Sequence, residues 1–138
     1  MILLDANILM YAAGAEHPNK APCVTLLERV AAGEVQAGAD VEVLQEILHR
    51  YRSLGRWADG RRVYDLARRI VPTWLAVDVA SLDRARALLD AHPGLAARDA
   101  LHAAVCLEAG ARALCTYDRD FDQIAELRRM EPDAALVG

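Results

Sequence analysis

Short apolar segments alternate with amphipathic helices along this chain, and that alternation admits few folds. Ile2-Leu3-Leu4 is apolar without a polar alternate, as a strand buried on both faces must be, and it stops at Asp5. A helical stretch from Ala6 follows and closes at Gly14. Cys23, Leu26, Leu27, Val30 and Ala31 then fall at helical spacing within 21–32, and 35–39 reads as a second strand. Asp40 is placed to cap the helix Val-Glu-Val-Leu-Gln-Glu-Ile-Leu-His-Arg-Tyr-Arg-Ser-Leu, which Gly55 ends. A further helix spans 56–70, weakened at Gly60, and 73–79 reads as a strand. Ser81 caps the next helix, 98–109 forms an almost wholly apolar one, 113–117 is a strand, 121–127 a short helix, and the last residues an edge strand.

Strands separated by helices pair in parallel through right-handed crossovers, with helices on both faces. The expected fold is α/β, a three-layer α/β/α sandwich on a mainly parallel sheet of four to five strands. With 138 residues, 54% of them hydrophobic, the chain suffices for a single domain over 1–138. No apolar run approaches the ~20 residues of a membrane span. Asp5 and Asn7 interrupt the apolar start, which lacks the basic region of a secretory signal. The expected location is cytoplasmic, with no membrane partner.

Ligands in such folds bind beyond the carboxyl ends of the strands, where the winding reverses. Asp5 and Asp118 each follow a strand, and Asp99 begins the apolar helix; all three fall on that rim. Crowded carboxylates repel and call for a counter-charge, which a hard divalent cation such as Mg²⁺ or Mn²⁺ supplies through oxygen ligands. Glu46 is different. On a helical wheel whose apolar stripe is Val41, Leu44, Ile47, Leu48 and Tyr51, it falls on the opposite, solvated side.

No nucleophile pairs with any of the four histidines at a motif spacing. His102 and Cys106, four apart, are a minor zinc alternative that lacks a second ligand pair. The three cysteines read as buried hydrophobes. Net charge is −4, yet Arg50, Arg52, Arg56, Arg61, Arg62, Arg68 and Arg69 crowd one segment against Asp59 and Asp65 alone. That segment is either a solvated helix face or a patch for a phosphate polymer.

Four stretches, in order, carry a resemblance: Leu-Leu-Asp-Ala-Asn-Ile-Leu-Met-Tyr from Leu3, Val-Glu-Val-Leu-Gln-Glu-Ile-Leu-His-Arg-Tyr from Val41, Ala-Arg-Asp-Ala-Leu-His-Ala-Ala-Val-Cys from Ala97, and Cys-Thr-Tyr-Asp-Arg-Asp-Phe-Asp from Cys115. Together they resemble the PIN-domain nucleases, and among those the VapC toxins of bacterial toxin–antitoxin pairs. The resemblance implies a metal-dependent endoribonuclease using Mg²⁺ or Mn²⁺. It implies Asp5, Glu46, Asp99 and Asp118 as the catalytic and metal-binding acids, with Asp120 a further ligand and Asn7 and Thr116 orienting the acids. Glu46 enters the site by this resemblance alone. It further implies an RNA substrate and a small antitoxin. Self-pairing is expected separately, because the apolar side chains of Cys23, Leu27, Val30, Val41, Leu44 and Leu48 exceed what one face of a small sheet obviously covers. Asp122 reads as a surface or capping residue, and Phe121 and Tyr117 as packing.

Two alternatives stand beside this. A phosphoryl-transfer domain also places an aspartate after its first strand, but the only lysine, Lys20, falls in a loop. A catalytically inactive PIN-like module that binds RNA or protein would be expected to have lost some of the four acids.

Overall fold

Leu3 and Leu114 pack against one helical layer, while Ile2, Leu4, Ala113 and Cys115 pack against the other, so the sheet is buried on both faces. The computed structural model describes residues 1–137. Five strands, β1 (Ile2–Leu4), β2 (Ala37–Asp40), β3 (Thr73–Leu75), β4 (Ala113–Cys115) and β5 (Arg129–Met130), pair in parallel throughout in the order β3-β2-β1-β4-β5. The expected α/β/α sandwich is the observed architecture.

The first layer comprises α1 (Ala6–Ala13), α2 (Lys20–Ala31), α3 (Val41–Ser53) and α4 (Trp57–Ile70), whose apolar residues share one core with Ile2 and Leu4. The second comprises α5 (Val79–Ala91) and α6 (Ala97–Glu108), packed over Leu3 and Leu114. Winding runs from β1 outward to β3, then returns across the sheet to β4 on the other side of β1. The reversal therefore lies between the carboxyl ends of β1 and β4, where Asp5 and Thr116 emerge. The chain finishes in α7 (Pro132–Val137), against α2. Among the described residues, no helix is long and apolar enough to cross a membrane.

Several boundaries differ from expectation for local reasons. The third strand ends at Leu75, and Asp78 rather than Ser81 caps α5; the two form a reciprocal capping box, Ser81 N donating to Asp78 Oδ1 at 2.9 Å. The expected helix at 121–127 is a 3₁₀ turn, Arg119–Gln123, capped by Asp118. The edge strand near the end is two residues long and gives way to α7. Gly60 is demanded by packing: a Cβ there would meet Tyr51 Cβ at 2.5 Å, so it lets α4 lie close on α3.

The apolar surplus on α2 and α3 is mostly spent inside the chain. Cys23, Leu27, Val30 and Leu44 are buried in the first core, and Val41 alone of the six is exposed. The arginine-rich segment is not one patch either. Arg52 lies over the Trp57 ring at 4.9 Å, Arg56 and Arg62 both pair with Asp59, and Arg50 faces a different groove.

A carboxylate cleft with a buried histidine at its back

Asp5 is the first residue beyond β1 and caps α1, its Oδ1 accepting from Ala6 N at 2.7 Å. Its other oxygen accepts from Thr116 Oγ1 at 2.8 Å. Thr116 is fully buried just past β4, and its hydroxyl accepts in turn from Asn7 Nδ2 at 2.9 Å and Asp118 N at 3.1 Å. One hydroxyl thus ties together the two strand ends that the reversal of winding brings side by side. Asn7 and Thr116 are bonded to each other, and Thr116 to Asp5. Asn7 Oδ1 is buried with no partner.

Asp5, Glu46, Asp99 and Asp118 line one open cleft of about 680 Å³. Asp120 lies outside its lining, exposed, yet a carboxylate oxygen of Asp120 comes within 4.8 Å of those of Asp99 and Asp118. Burial raises the Asp5 pKa, and Glu46 adds to the rise against the lowering effect of His102. Asp99 is pushed up to about 6, first by burial and then by the charges of Asp118 and Asp5. These carboxylates are short of positive charge.

The donors are oxygen atoms of several carboxylates, with the unpartnered Asn7 Oδ1 beside them, a set that fits a hard divalent cation. It does not fit zinc through His102 and Cys106. Burial drives the Cys106 thiol up to about 12, and both nitrogens of His102 are engaged by carboxylates.

His102 and Asp40 are the members of the site that the sequence did not disclose. His102 is 1% exposed. Its Nδ1 donates to Asp40 Oδ2 at 2.6 Å and its Nε2 to Glu46, with Asp5 Oδ1 at 4.0 Å from Nε2. Burial alone would lower its pKa, but the hydrogen bonds to Asp40 and Glu46 overcome this and raise it well above 6.5, so the ring is an imidazolium. Asp40 keeps its expected capping role with Oδ1, which accepts from Val43 N at 3.2 Å. Glu46 is correspondingly not solvated; its side chain is 15% exposed and held between His102 and Arg98, the latter at 3.5 Å. Phe121 is core, Tyr117 meets Tyr11 edge to face, and Asp122 accepts from Arg129 at the surface. The available signal was His102 itself, since an ionisable group on an apolar helix must find partners.

The PIN domain family model matches residues 2–127. Ribonuclease VapC13 of Mycobacterium tuberculosis is 38% identical over 130 residues, covering 94% of this chain and 99% of that protein. Ribonuclease VapC7 of the same organism is 38% identical over 140 residues, covering 98% and 94%. Among solved structures, VapBC2 from Rickettsia felis, bound to a DNA fragment from its promoter, superposes with a TM-score of 0.74 at 20% identity over 95% of this chain and 98% of that one. VapC20 of M. tuberculosis, described as a sarcin–ricin loop cleaving toxin, gives 0.72 at 16% identity over 89% and 94%.

Proposed function

Because this chain belongs to the PIN domain family, we propose that it is an endoribonuclease, dependent on Mg²⁺ or Mn²⁺, acting as the toxin of a toxin–antitoxin pair. The observation that carries the reading is the meeting of Asp5, Glu46, Asp99 and Asp118 in one cleft at the reversal of winding. An inactive binding module has no need to crowd acids against their own repulsion.

In this reading the ion is held from two neighbouring acid groups of the cleft, Asp5 with Glu46 and Asp99 with Asp118 and Asp120, each with carboxylate oxygens within 4.8 Å of one another. A bound divalent ion supplies a water of lowered pKa and a counter-charge for the phosphodiester. The chain's own groups fix the acids. Thr116 and Ala6 N hold Asp5 from two sides, His102 holds Glu46 from behind, and Asp120 N holds Asp118 through Oδ1 at 2.9 Å. The substrate is single-stranded or looped RNA, because a small open cleft offers nothing to part a duplex. Residues 1–138 act as one nuclease domain, in the cytoplasm where RNA is accessible.

The test is cleavage of RNA by the purified chain. EDTA is expected to abolish it and added Mn²⁺ to restore it; cleavage unaffected by EDTA refutes the metal. Titration calorimetry gives a second reading. Mn²⁺ should bind the wild type and not Asp5→Asn or Asp99→Asn, and undiminished binding in both variants removes these acids from the site.

The partner proposal rests on the same cleft. A small antitoxin would present a basic side chain to the acids, and the Arg98 guanidinium against Glu46 shows that geometry within the chain. The Klebsiella pneumoniae neighbour, covering 96% of this chain with a TM-score of 0.67, is a toxin–antitoxin complex. Co-purification with the neighbouring gene product and loss of RNA cleavage is the expected result; a product that neither binds nor inhibits ends the toxin reading and leaves the nuclease. Self-pairing keeps only exposed Val41 of its original support, and light scattering at micromolar concentration decides it.

A further inference from the structure

One face of α3 runs out of the acid cluster along the cleft. Glu46, His49, Arg50 and Ser53 recur at helical spacing and all line the cavity. At 1.5 Å per residue, Arg50 stands about 6 Å further along the helix than Glu46. It enters no ion pair among the described residues, whereas Arg52, two positions on, is committed to the Trp57 ring. Met10 and Tyr11 of α1 line the same cavity, and so does Leu54, which follows Ser53 at the end of α3 and is 54% exposed. The Tyr11 ring is held by His17 at 4.8 Å and Tyr117 at 5.5 Å between centroids.

We propose that this half of the cleft is a nucleotide subsite: Arg50, with His49 and Ser53, takes the phosphodiester adjacent to the one cut, and Met10, Tyr11 and Leu54 face its unpaired base. The inference rests on the nuclease reading and deepens it. A chain of net charge −4 with an acidic cleft floor repels a polyanion, so an unpaired cation one turn from Glu46 is where backbone attraction arises. An apolar side chain as open as Leu54 contributes little to the core, and a splayed base is the chemistry that covers such a wall beside a phosphate contact.

The experiment uses the Asp99→Asn chain, in which the RNA stays uncut, and a short labelled single-stranded RNA of mixed sequence, with binding followed by anisotropy across a salt series. Arg50→Ala should weaken binding about three- to tenfold and reduce the salt slope by about 0.7, the increment for one phosphate on a single strand. Arg52→Ala removes the same charge from the same helix and should change neither. Leu54→Ser should weaken RNA about fivefold while leaving the slope and the binding of inorganic polyphosphate unchanged. Equal effects of Arg50→Ala and Arg52→Ala reduce the attraction to diffuse charge and overturn the phosphate contact. An equal loss of polyphosphate binding in Leu54→Ser overturns the base contact. RNA affinity unchanged in both Arg50→Ala and Leu54→Ser overturns the nucleotide subsite. Failure of the nuclease reading is separately visible, as wild-type protein that binds RNA with the expected Arg50 signature and never cuts it.

Discussion

Asp99→Asn is expected to abolish RNA cleavage, by about 10²–10³-fold or more, while making the metal-free fold more stable. The two effects share one cause. Asp99 sits in the first turn of α6, buried, and faces Asp118 and Asp5. Folding raises its pKa from 3.8 to about 6, through burial and then those two charges. A group raised on folding contributes its stability below the unfolded value and loses it as pH climbs through the folded value. At neutral pH the wild type carries the whole cost of an ionised Asp99, and asparagine, which cannot ionise, carries none. The gain is roughly 1–2 kcal/mol, the open cleft screening part of the full value. Thermal melts in EDTA should therefore show the variant and wild type diverging as pH rises from about 4 to about 6, and parallel above it. Added Mn²⁺ should close the gap by stabilising only the wild type. A variant that cuts at the wild-type rate, or that melts lower than wild type at neutral pH without metal, contradicts the role given to Asp99.

Three of the four principal acids were legible because they sit where topology alone puts them. Asp5 directly follows β1 and Asp118 lies three residues past β4, beside the reversal of winding, and Asp99 opens a helix too apolar to lie anywhere but on the sheet. Glu46 was misplaced by the wheel for a physical reason. Val41 was taken as part of the buried stripe, but it is the first residue of α3 and is 40% exposed; Val43 takes its place in the core. The buried stripe then becomes Val43, Leu44, Ile47 and Tyr51, turned about 50° toward Glu46. That rotation moves Glu46 from the solvated side to the flank of the helix, within reach of His102. The family resemblance put Glu46 with the other acids, and it does line the cleft with them where periodicity had turned it to solvent. Asp40 was half legible: its capping oxygen follows from local sequence, while the other oxygen answers a histidine 62 positions away. No local pattern encodes such a pairing. The short 3₁₀ turn and the two-residue β5 were read only in outline, as a helix over 121–127 and an edge strand in the last residues, because neither is long enough to show a period.

The largest stability effect is expected at His102. His102→Ala removes the buried partner between Asp40 and Glu46 and leaves the buried Asp40 without its counter-charge and Glu46 with Arg98 alone, a loss of about 3 kcal/mol in urea unfolding. Its raised pKa sets the pH dependence: the contribution is complete below 6.5 and is lost as pH rises through the higher folded value. Destabilisation by itself does not distinguish a core residue from one that positions Glu46, so Cys106→Ala supplies the control. Cys106 lies one turn further along the same apolar helix and is equally buried, at 1% exposed. Its truncation should cost about 1 kcal/mol and leave cleavage per folded molecule untouched. His102→Ala, measured under conditions where it stays folded, should lose about 10–100-fold in kcat/KM, since an outer partner that orients a ligand is worth that much. His102→Gln, which keeps one donor toward either carboxylate, should recover part of both losses. Equal cleavage per folded molecule in His102→Ala and Cys106→Ala would leave His102 as core alone, with Glu46 holding its place unaided. A graded recovery in His102→Gln, absent from Cys106→Ala, ties the buried ring to the acid it faces in the cleft.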